Sequence, residues 1–110
     1  MKALTPIELR AMKANAGEAV AVLRALSNEV RLMVLCRLGQ GELSAGELNA
    51  IAGLSQSALS QHLAKLRADG LVATRRDGQT IFYRIADPRV GDVIAALHGI
   101  FCKPSKGYKS

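Results

Sequence analysis

The sequence predicts a mainly α-helical fold with one β-hairpin, an α+β arrangement in the order ααααββα. Two observations carry this prediction. Apolar residues recur every three or four positions through most of the chain, and the turn pair Asp77-Gly78 separates two short segments rich in β-forming residues. The 110 residues, 49% of them hydrophobic, suffice for one domain with one core. We expect that domain to cover residues 1–102 and residues 103–110 to form a flexible basic tail.

Two helices are predicted at the start of the chain. The first runs from Thr5 to Leu26, with Pro6 in its first turn. Its apolar stripe consists of Met12, Ala16, Ala19, Leu23 and Leu26. Ser27 is expected to cap a second helix, which is apolar nearly all round and therefore central. The Gly39-Gln40-Gly41 stretch should end it, because glycine tolerates a left-handed backbone.

The next two helices are short and are separated by a glycine. Ser44 and Glu47 form the S-x-x-E pattern of a capping box, and Gly53 ends the helix that they open. Ser55 can cap the following helix. The residues of that helix that should face the core are Leu59, Leu63 and Leu66. Two short helices joined by a glycine-containing turn predict a helix-turn-helix.

A hairpin and a last helix complete the predicted order. Strands are expected over 71–75 and 79–85, joined at Asp77-Gly78, and Asp87-Pro88 should begin the last helix. The stripe of that helix is Val90, Val93, Ile94, Leu97 and Phe101. This order is a winged helix-turn-helix with an extra helix at each end. The terminal helices carry more apolar surface than a small core covers, which predicts a homodimer through the first and last helices.

The outward face of the second short helix carries side chains suited to DNA. They are Gln56, Ser57, Ser60, Gln61 and Lys65. The major groove of B-DNA admits an α-helix, and glutamine can bond bidentately to adenine while serine holds a base or a phosphate. Arg75 and Arg76 stand beside the hairpin tip, where guanidinium groups meet phosphates or enter a minor groove. The plain alternative is a solvated helix face, since serine and glutamine are ordinary surface residues.

Charge and composition narrow the class of function. The formal charge of +6 suits a polyanionic partner, but only +2 of it lies between Ser44 and Arg84, so helix geometry carries the DNA argument better. Aromatic residues make up 4% of the chain, which argues against a single-strand binder that stacks bases. No Gly-rich phosphate loop, nucleophile elbow or carboxylate pair is present, so we expect neither an enzyme nor a cofactor.

The location of the protein is predicted from the same sequence. Glu8, Arg10 and Lys13 interrupt the place where the apolar segment of a secretory signal would lie. The longest uncharged stretch, Leu48 to Ala64, is rich in serine, glutamine and asparagine and does not suit a bilayer. We therefore expect a cytoplasmic protein without membrane contact, whose thiols start reduced.

Three stretches of sequence resemble one family. They are Leu26-Ser27 through Arg31-Leu32, the run Leu59-Ser60-Gln61-His62-Leu63-Ala64-Lys65-Leu66, and Gly70-Leu71-Val72 with the arginines that follow. The sequence resembles the ArsR-type winged-helix repressors over nearly its whole length. The resemblance implies a homodimer that pairs through its first and last helices, binds a palindromic operator and releases it when an effector binds.

The metal sites of that family are not matched. Metal-sensing members carry a cysteine pair before the recognition helix, where this chain has Ser44 and Gly46. Asp92 and His98 lie in the last helix, but six positions apart they do not share a helical face well. His62, inside the recognition helix, is expected to pack or to contact phosphate. We therefore predict no metal site.

The two cysteines remain as candidate sensors. Cys36 and Cys102 lie 66 residues apart without a CxxC motif. Taken alone, each is best interpreted as a structural residue, with Cys36 as a small buried hydrophobe, although the place of Cys102 after a helix end and near Lys103 suits a partly exposed thiol and favours the thiolate. Together they resemble the sulfide- and persulfide-responsive branch of the family, which includes the biofilm-growth-associated repressor. That resemblance implies a di- or polysulfide bridge within one subunit, formed by reactive sulfur species as the effector. A metal or metalloid sensor and a general thiol redox sensor remain alternatives.

Overall fold

A computed structural model of the chain describes residues 3–53 and 55–102. The predicted basic tail, residues 103–110, lies outside this part. The elements are α1 (Pro6–Leu26), α2 (Glu29–Leu38), β1 (Leu43–Ser44), α3 (Ala45–Ala52), α4 (Gln56–Ala68), β2 (Val72–Asp77), β3 (Thr80–Ile85) and α5 (Pro88–Phe101). Among the described helices, none combines the length and apolarity of a membrane span.

Local capping signals set the helix starts. Ser44 Oγ accepts from the Glu47 amide at 3.1 Å while Glu47 Oε1 accepts from the Ser44 amide at 2.8 Å, which confirms the predicted capping box of α3. Ser55 caps α4 and Asp87 caps α5, as predicted. The same reciprocal arrangement joins Thr5 and Glu8 at the start of α1. These bonds satisfy amides that have no partner inside their helices.

The junction between α1 and α2 differs from the prediction. The sequence favours Ser27 as the cap of α2, but Asn28 takes that role, because its Oδ1 accepts from the Arg31 amide at 3.0 Å. Ser27 instead ends α1, and its hydroxyl donates to the Arg24 carbonyl at 2.8 Å. The second helix begins one residue late as a result. At its other end the left-handed backbone is found at Gly41 and not at Gly39, whose φ is −63°.

The sheet contains one more strand than predicted. The strand order is β1-β3-β2, and both pairs are antiparallel. β1 adds only Leu43 and Ser44, opposite Tyr83 and Phe82. The strands expected over 71–75 and 79–85 run over 72–77 and 80–85. Asp77 still pairs with Thr80, so the two-residue loop is Gly78-Gln79, with φ +65° at Gly78.

The core lies between α2, α3, α4, the sheet and α5. Its fully buried side chains include Val34, Leu35, Leu48, Leu66 and Val90. The sequence predicts α2 to be buried nearly all round, but only one of its faces lies in the core, since Met33 on the other is half exposed. α1 buries residues only near its C-terminal end, and α5 buries Val90 and Ile94. Arg89 at the start of α5 donates to Glu18 of α1 at 2.7 Å and so ties the two terminal helices together.

Large apolar side chains remain exposed on the terminal helices. On α1 they are Ile7, Leu9, Met12, Val20 and Leu23, and on α5 they are Ile100 and Phe101. Phe101 keeps 77% of its surface accessible and Leu23 keeps 59%. Leu9, Met12, Val20 and Leu23 recur on one face of α1, and an exposed apolar helix face is unusual in a monomer. The single chain therefore leaves uncovered the surface that the sequence assigns to a dimer.

Candidate nucleic-acid interface

α4 divides its residues between the core and the solvent with a helical period. Leu59, Leu63 and Leu66 are buried as predicted. The five residues expected to contact DNA, Gln56, Ser57, Ser60, Gln61 and Lys65, are all exposed. Lys65 forms a loose ion pair with Asp69 one turn later, at 3.7 Å, and both side chains are solvated. The outward face is therefore accessible to a ligand over three turns of helix.

The turn before α4 fixes the angle at which this face is presented. Gly53 ends α3 in the left-handed conformation, with φ +65°, which favours glycine. Ser55 Oγ accepts from the Ala58 amide at 3.2 Å and lies 3.5 Å from Ser57 Oγ. Gln56 and Ser57 stand in the first turn, where free amides and the helix dipole favour a phosphate.

A cleft of about 220 Å³ separates α3, α4 and β3. Gln56 and Ser60 of α4 line it together with Asn49 of α3 and Tyr83 of β3. Among the described residues, Asn49 Oδ1 is buried without a hydrogen-bond partner. The face of the sheet that carries Tyr83 therefore lies on the side of α4.

The two predicted wing arginines lie on opposite faces of the sheet. Arg75 stands opposite Phe82 and Arg76 opposite Ile81, and successive residues of a strand alternate between faces. Arg76 therefore shares its face with Thr74 and Tyr83, which is the α4 side. Arg75 points to the other face. The sequence groups these two arginines as one DNA contact, and the register separates them.

Arg75 is held by a carboxylate within the chain. Its Nε lies 3.0 and 2.9 Å from the two carboxylate oxygens of Glu42, and its Nη2 donates to Glu42 Oε1 at 2.7 Å. The guanidinium also lies over the Phe82 ring, 4.5 Å from the centroid. Hydrogen bonds from Arg75 lower the pKa of Glu42, and the bond to Glu42 raises the pKa of Arg75. Both groups are charged at neutral pH as a result.

Arg31 of α2 connects α4 to the end of α1. Its Nε donates to the Ala25 carbonyl at 3.0 Å, and its Nη2 donates to the Arg24 carbonyl at 3.2 Å. Its Nη1 lies 3.5 Å from His62 Nδ1. If Arg31 donates to this ring nitrogen, the proton of neutral His62 lies on Nε2. His62 is half-buried against α2, which agrees with the packing role expected for it.

Cys36 lies in α2 and Cys102 ends α5, and the C-terminal end of α2 lies close to α5. A Cβ added at Gly39 would lie 3.6 Å from Ile94 Cγ2, so the end of α2 contacts α5 directly. Cys36 of α2 is half-buried against the core, and Cys102 caps the end of α5, where it is exposed. Burial raises the pKa of the Cys36 thiol, and the charge of Cys102 raises it further. Both thiols are free, and they stand on elements that approach each other.

The described residues do not assemble a metal site. No three side chains of the His, Cys, Asp and Glu types come together in residues 3–53 and 55–102. Asp92 and His98 are both at least partly accessible to solvent. Two thiols alone would leave a bound zinc ion short of its usual four ligands.

Comparisons with known proteins agree with this geometry. A family model described as "Bacterial regulatory protein, arsR family" matches residues 28–74. The chain is 48% identical over 101 residues to the transcriptional activator HlyU of Vibrio cholerae serotype O1, covering 92% of this chain and 94% of that protein. It is 45% identical over 100 residues to the biofilm growth-associated repressor of Agrobacterium fabrum, covering 91% and 86%.

A solved structure gives the same result for the fold. Reduced HlyU from Vibrio cholerae N16961 matches with a TM-score of 0.80 and 50% sequence identity, covering 86% of this chain and 99% of that one. The predicted winged helix-turn-helix is confirmed by such neighbours, with α3 and α4 as the helix-turn-helix and β2-β3 as the wing.

Proposed function

The chain belongs to the ArsR family of DNA-binding transcriptional regulators, and on that basis we propose that it is an operator-binding repressor released by reactive sulfur species. Its relatives are regulators and not enzymes, in agreement with the sequence prediction. The Agrobacterium relative is named a repressor and the Vibrio relative an activator. We propose repression. A reporter gene whose promoter overlaps the operator tests this, because a repressor lowers its expression and an activator raises it.

Operator binding is assigned to the outward face of α4 and to the wing. Gln56, Ser60 and Gln61 supply hydrogen bonds for base edges, and the first turn of α4 suits a phosphate. Arg76 adds a positive charge on the same side of the sheet. Double-stranded DNA is the partner that fits a helix-turn-helix with this polar face.

The proposed functional unit is a homodimer formed by α1 and α5. Support comes from the apolar side chains that these helices leave exposed, among them Leu23 and Phe101. Two-fold symmetry makes the matching operator a palindrome, with half-sites about 34–36 Å apart. The separation of the two α4 helices then decides whether both half-sites are bound.

The sulfur-sensing proposal rests on one observation, that the chain's two cysteines are free and that the end of α2, which carries Cys36, lies close to α5, which Cys102 ends. Cys102 is exposed and is assigned the first attack. Cys36 is half-buried with a raised pKa, and it is assigned the second, bridge-closing attack. The similar Vibrio cholerae structure is that of reduced HlyU, and a form distinguished by its redox state is consistent with a redox-responsive relative.

The chemistry balances with a persulfide as the oxidant. The Cys102 thiolate attacks the outer sulfur of glutathione persulfide, forming a Cys102 persulfide and releasing glutathione. The Cys36 thiolate then attacks the inner sulfur, closing a disulfide and releasing hydrosulfide. If both cysteines become persulfides first, the same displacement closes a trisulfide and also releases hydrosulfide. Thiols closer than about 7 Å between Cα atoms suit the disulfide, and a wider pair suits the longer bridge.

A bridge would connect DNA release to the dimer. It ties α2, which packs in the core, to the end of α5, which belongs to the proposed dimer surface. Moving α5 within that surface changes the separation of the two α4 helices. Release requires only that the bridged form prefer a dimer geometry that does not match the operator.

The test measures operator affinity at fixed salt on a palindromic duplex that the parent protein selects from a random library. Treatment with glutathione persulfide should weaken binding by about 5- to 150-fold, the usual range of allosteric coupling. Cys36→Ser and Cys102→Ser should bind like the untreated parent and should not respond. If both variants still release DNA, the dithiol switch is wrong. Release by peroxide would indicate a general thiol sensor, and release by zinc, cadmium or arsenite a metal or metalloid sensor.

A further inference from the structure

We propose that Glu42 and Arg75 are positioning residues of the wing, whose ion pair holds β2 so that Arg76, and not Arg75, contacts the DNA backbone. This inference rests on the proposed binding of operator DNA by α4 and the wing. It reassigns one of the two arginines that the sequence offers as equivalent contacts.

The contacts of Arg75 occupy two sides of its guanidinium group. The edge formed by Nε and Nη2 faces both oxygens of Glu42, at 2.7 to 3.0 Å. One planar face covers the Phe82 ring. A phosphate would have to displace the carboxylate to use the same edge. A bidentate and stacked arginine is also better ordered than an ordinary surface ion pair.

The contacts of Arg75 link the segment before β1 to β2 and β3. Glu42 immediately precedes β1, Arg75 lies in β2, and Phe82 lies in β3. Ser44, which pairs with Phe82, is also the N-cap of α3. The contact therefore connects the wing to the first residue of the helix-turn-helix. β1 has only two residues and therefore few backbone hydrogen bonds to β3. The ion pair beside it is an additional contact that holds this edge of the sheet.

Arg76 is placed differently. It stands one residue nearer the tip and on the opposite face, with Ile81 across from it and Tyr83 farther along. Tyr83 lines the cleft that also contains Gln56 and Ser60, so this face is the one beside the recognition helix. Within residues 3–53 and 55–102, Arg76 forms no ion pair or side-chain hydrogen bond. Its charge is available to a phosphate.

Salt dependence distinguishes a positioning role from a phosphate contact. Each phosphate neutralised by a cation contributes about −0.9 to the slope of log affinity against log salt. Arg76→Gln should therefore make the slope less steep by about 0.9. Arg75→Gln should leave the slope unchanged and weaken binding roughly threefold to tenfold at every salt concentration, through loss of one ordered ion pair.

Glu42→Gln gives the sharper result, because simple electrostatics and a positioning role predict opposite changes in DNA affinity. Removing a negative charge near DNA would by itself tighten binding. A positioning role predicts weaker binding, similar in size to that of Arg75→Gln, and a double variant no weaker than either single one. Arg75→Lys should not restore affinity, since lysine cannot bond the carboxylate in a bidentate manner.

The experiment uses the full chain and the duplex selected by the parent protein, with anisotropy titrations at several salt concentrations. Melting temperatures close to that of the parent confirm that each variant is folded. A slope change of about 0.9 for Arg75→Gln, or tighter binding by Glu42→Gln, would overturn this inference alone. A parent protein that binds no duplex would overturn the proposed function and this inference with it.

Discussion

Replacing Leu23 with alanine is expected to weaken the dimer by about thirtyfold to several hundredfold. Leu23 lies on α1 with 59% of its surface exposed in the single chain. Full burial of a leucine side chain stabilises by about 1.5–3 kcal/mol, so covering the exposed part contributes about 1–2 kcal/mol. Each subunit of a two-fold dimer contributes one Leu23, so the dimer loses about 2–4 kcal/mol of association free energy. Each 1.4 kcal/mol raises the dissociation constant about tenfold.

Sedimentation equilibrium of the reduced protein measures this effect as a dimer dissociation constant. Arg10→Ala is the matched control, because Arg10 is exposed on α1 but lies outside the apolar stripe. The control should dissociate like the parent. A Leu23→Ala dimer within about twofold of the parent would refute the assignment of this face of α1 to the dimer. The core should be unaffected, since Leu23 contributes little buried surface to it.

Three further predictions concern stability and the thiols. Ser55→Ala removes the hydroxyl that accepts from the Ala58 amide and should lower the free energy of unfolding in urea by about 1 kcal/mol, whereas Ser55→Asp should not. Leu66→Ala empties a fully buried site and should cost about 2–5 kcal/mol; an unchanged melting temperature would contradict the place of Leu66 in the core. Because burial raises the pKa of Cys36, its thiolate is scarce near neutral pH, and bridge closure in quenched-flow experiments should accelerate about tenfold per pH unit. A rate independent of pH would exclude the Cys36 thiolate as the attacking group.

The features that the sequence predicts well are those encoded within a few residues. Ser44 and Glu47 stand three apart and build their capping box from local bonds alone. Gly53 and Ser55 define the turn between α3 and α4 in the same way, and Asp77-Gly78 locates the hairpin. The helix-turn-helix and the outward face of α4 follow from these signals, because each is decided before distant parts of the chain meet.

The features that the sequence leaves open depend on distant contacts. β1 has two residues, too few for an alternating pattern, and exists because β3 pairs with it. Glu42 and Arg75 are 33 positions apart, and nothing local marks them as partners. The position of Cys36 relative to Cys102 likewise depends on how the end of α2 meets α5, which involves residues more than 50 positions apart. The cap of α2 is the exception, because it is decided locally: Asn28 and Ser27 are both good caps, and Ser27 instead donates to the Arg24 carbonyl three positions back.

The central claim is that one chain joins its own two cysteines when a persulfide is present, and intact mass spectrometry tests it most directly. The protein is treated with glutathione persulfide and then alkylated under denaturing conditions. The account predicts a monomer in which neither cysteine is alkylated. Its mass is either two hydrogens below that of the reduced chain, for a disulfide, or higher by the mass of each added sulfur atom, for a longer bridge. Peptide mapping should then recover Cys36 and Cys102 in one linked peptide. Two alkylated thiols, or a covalent dimer linked between subunits, would contradict it.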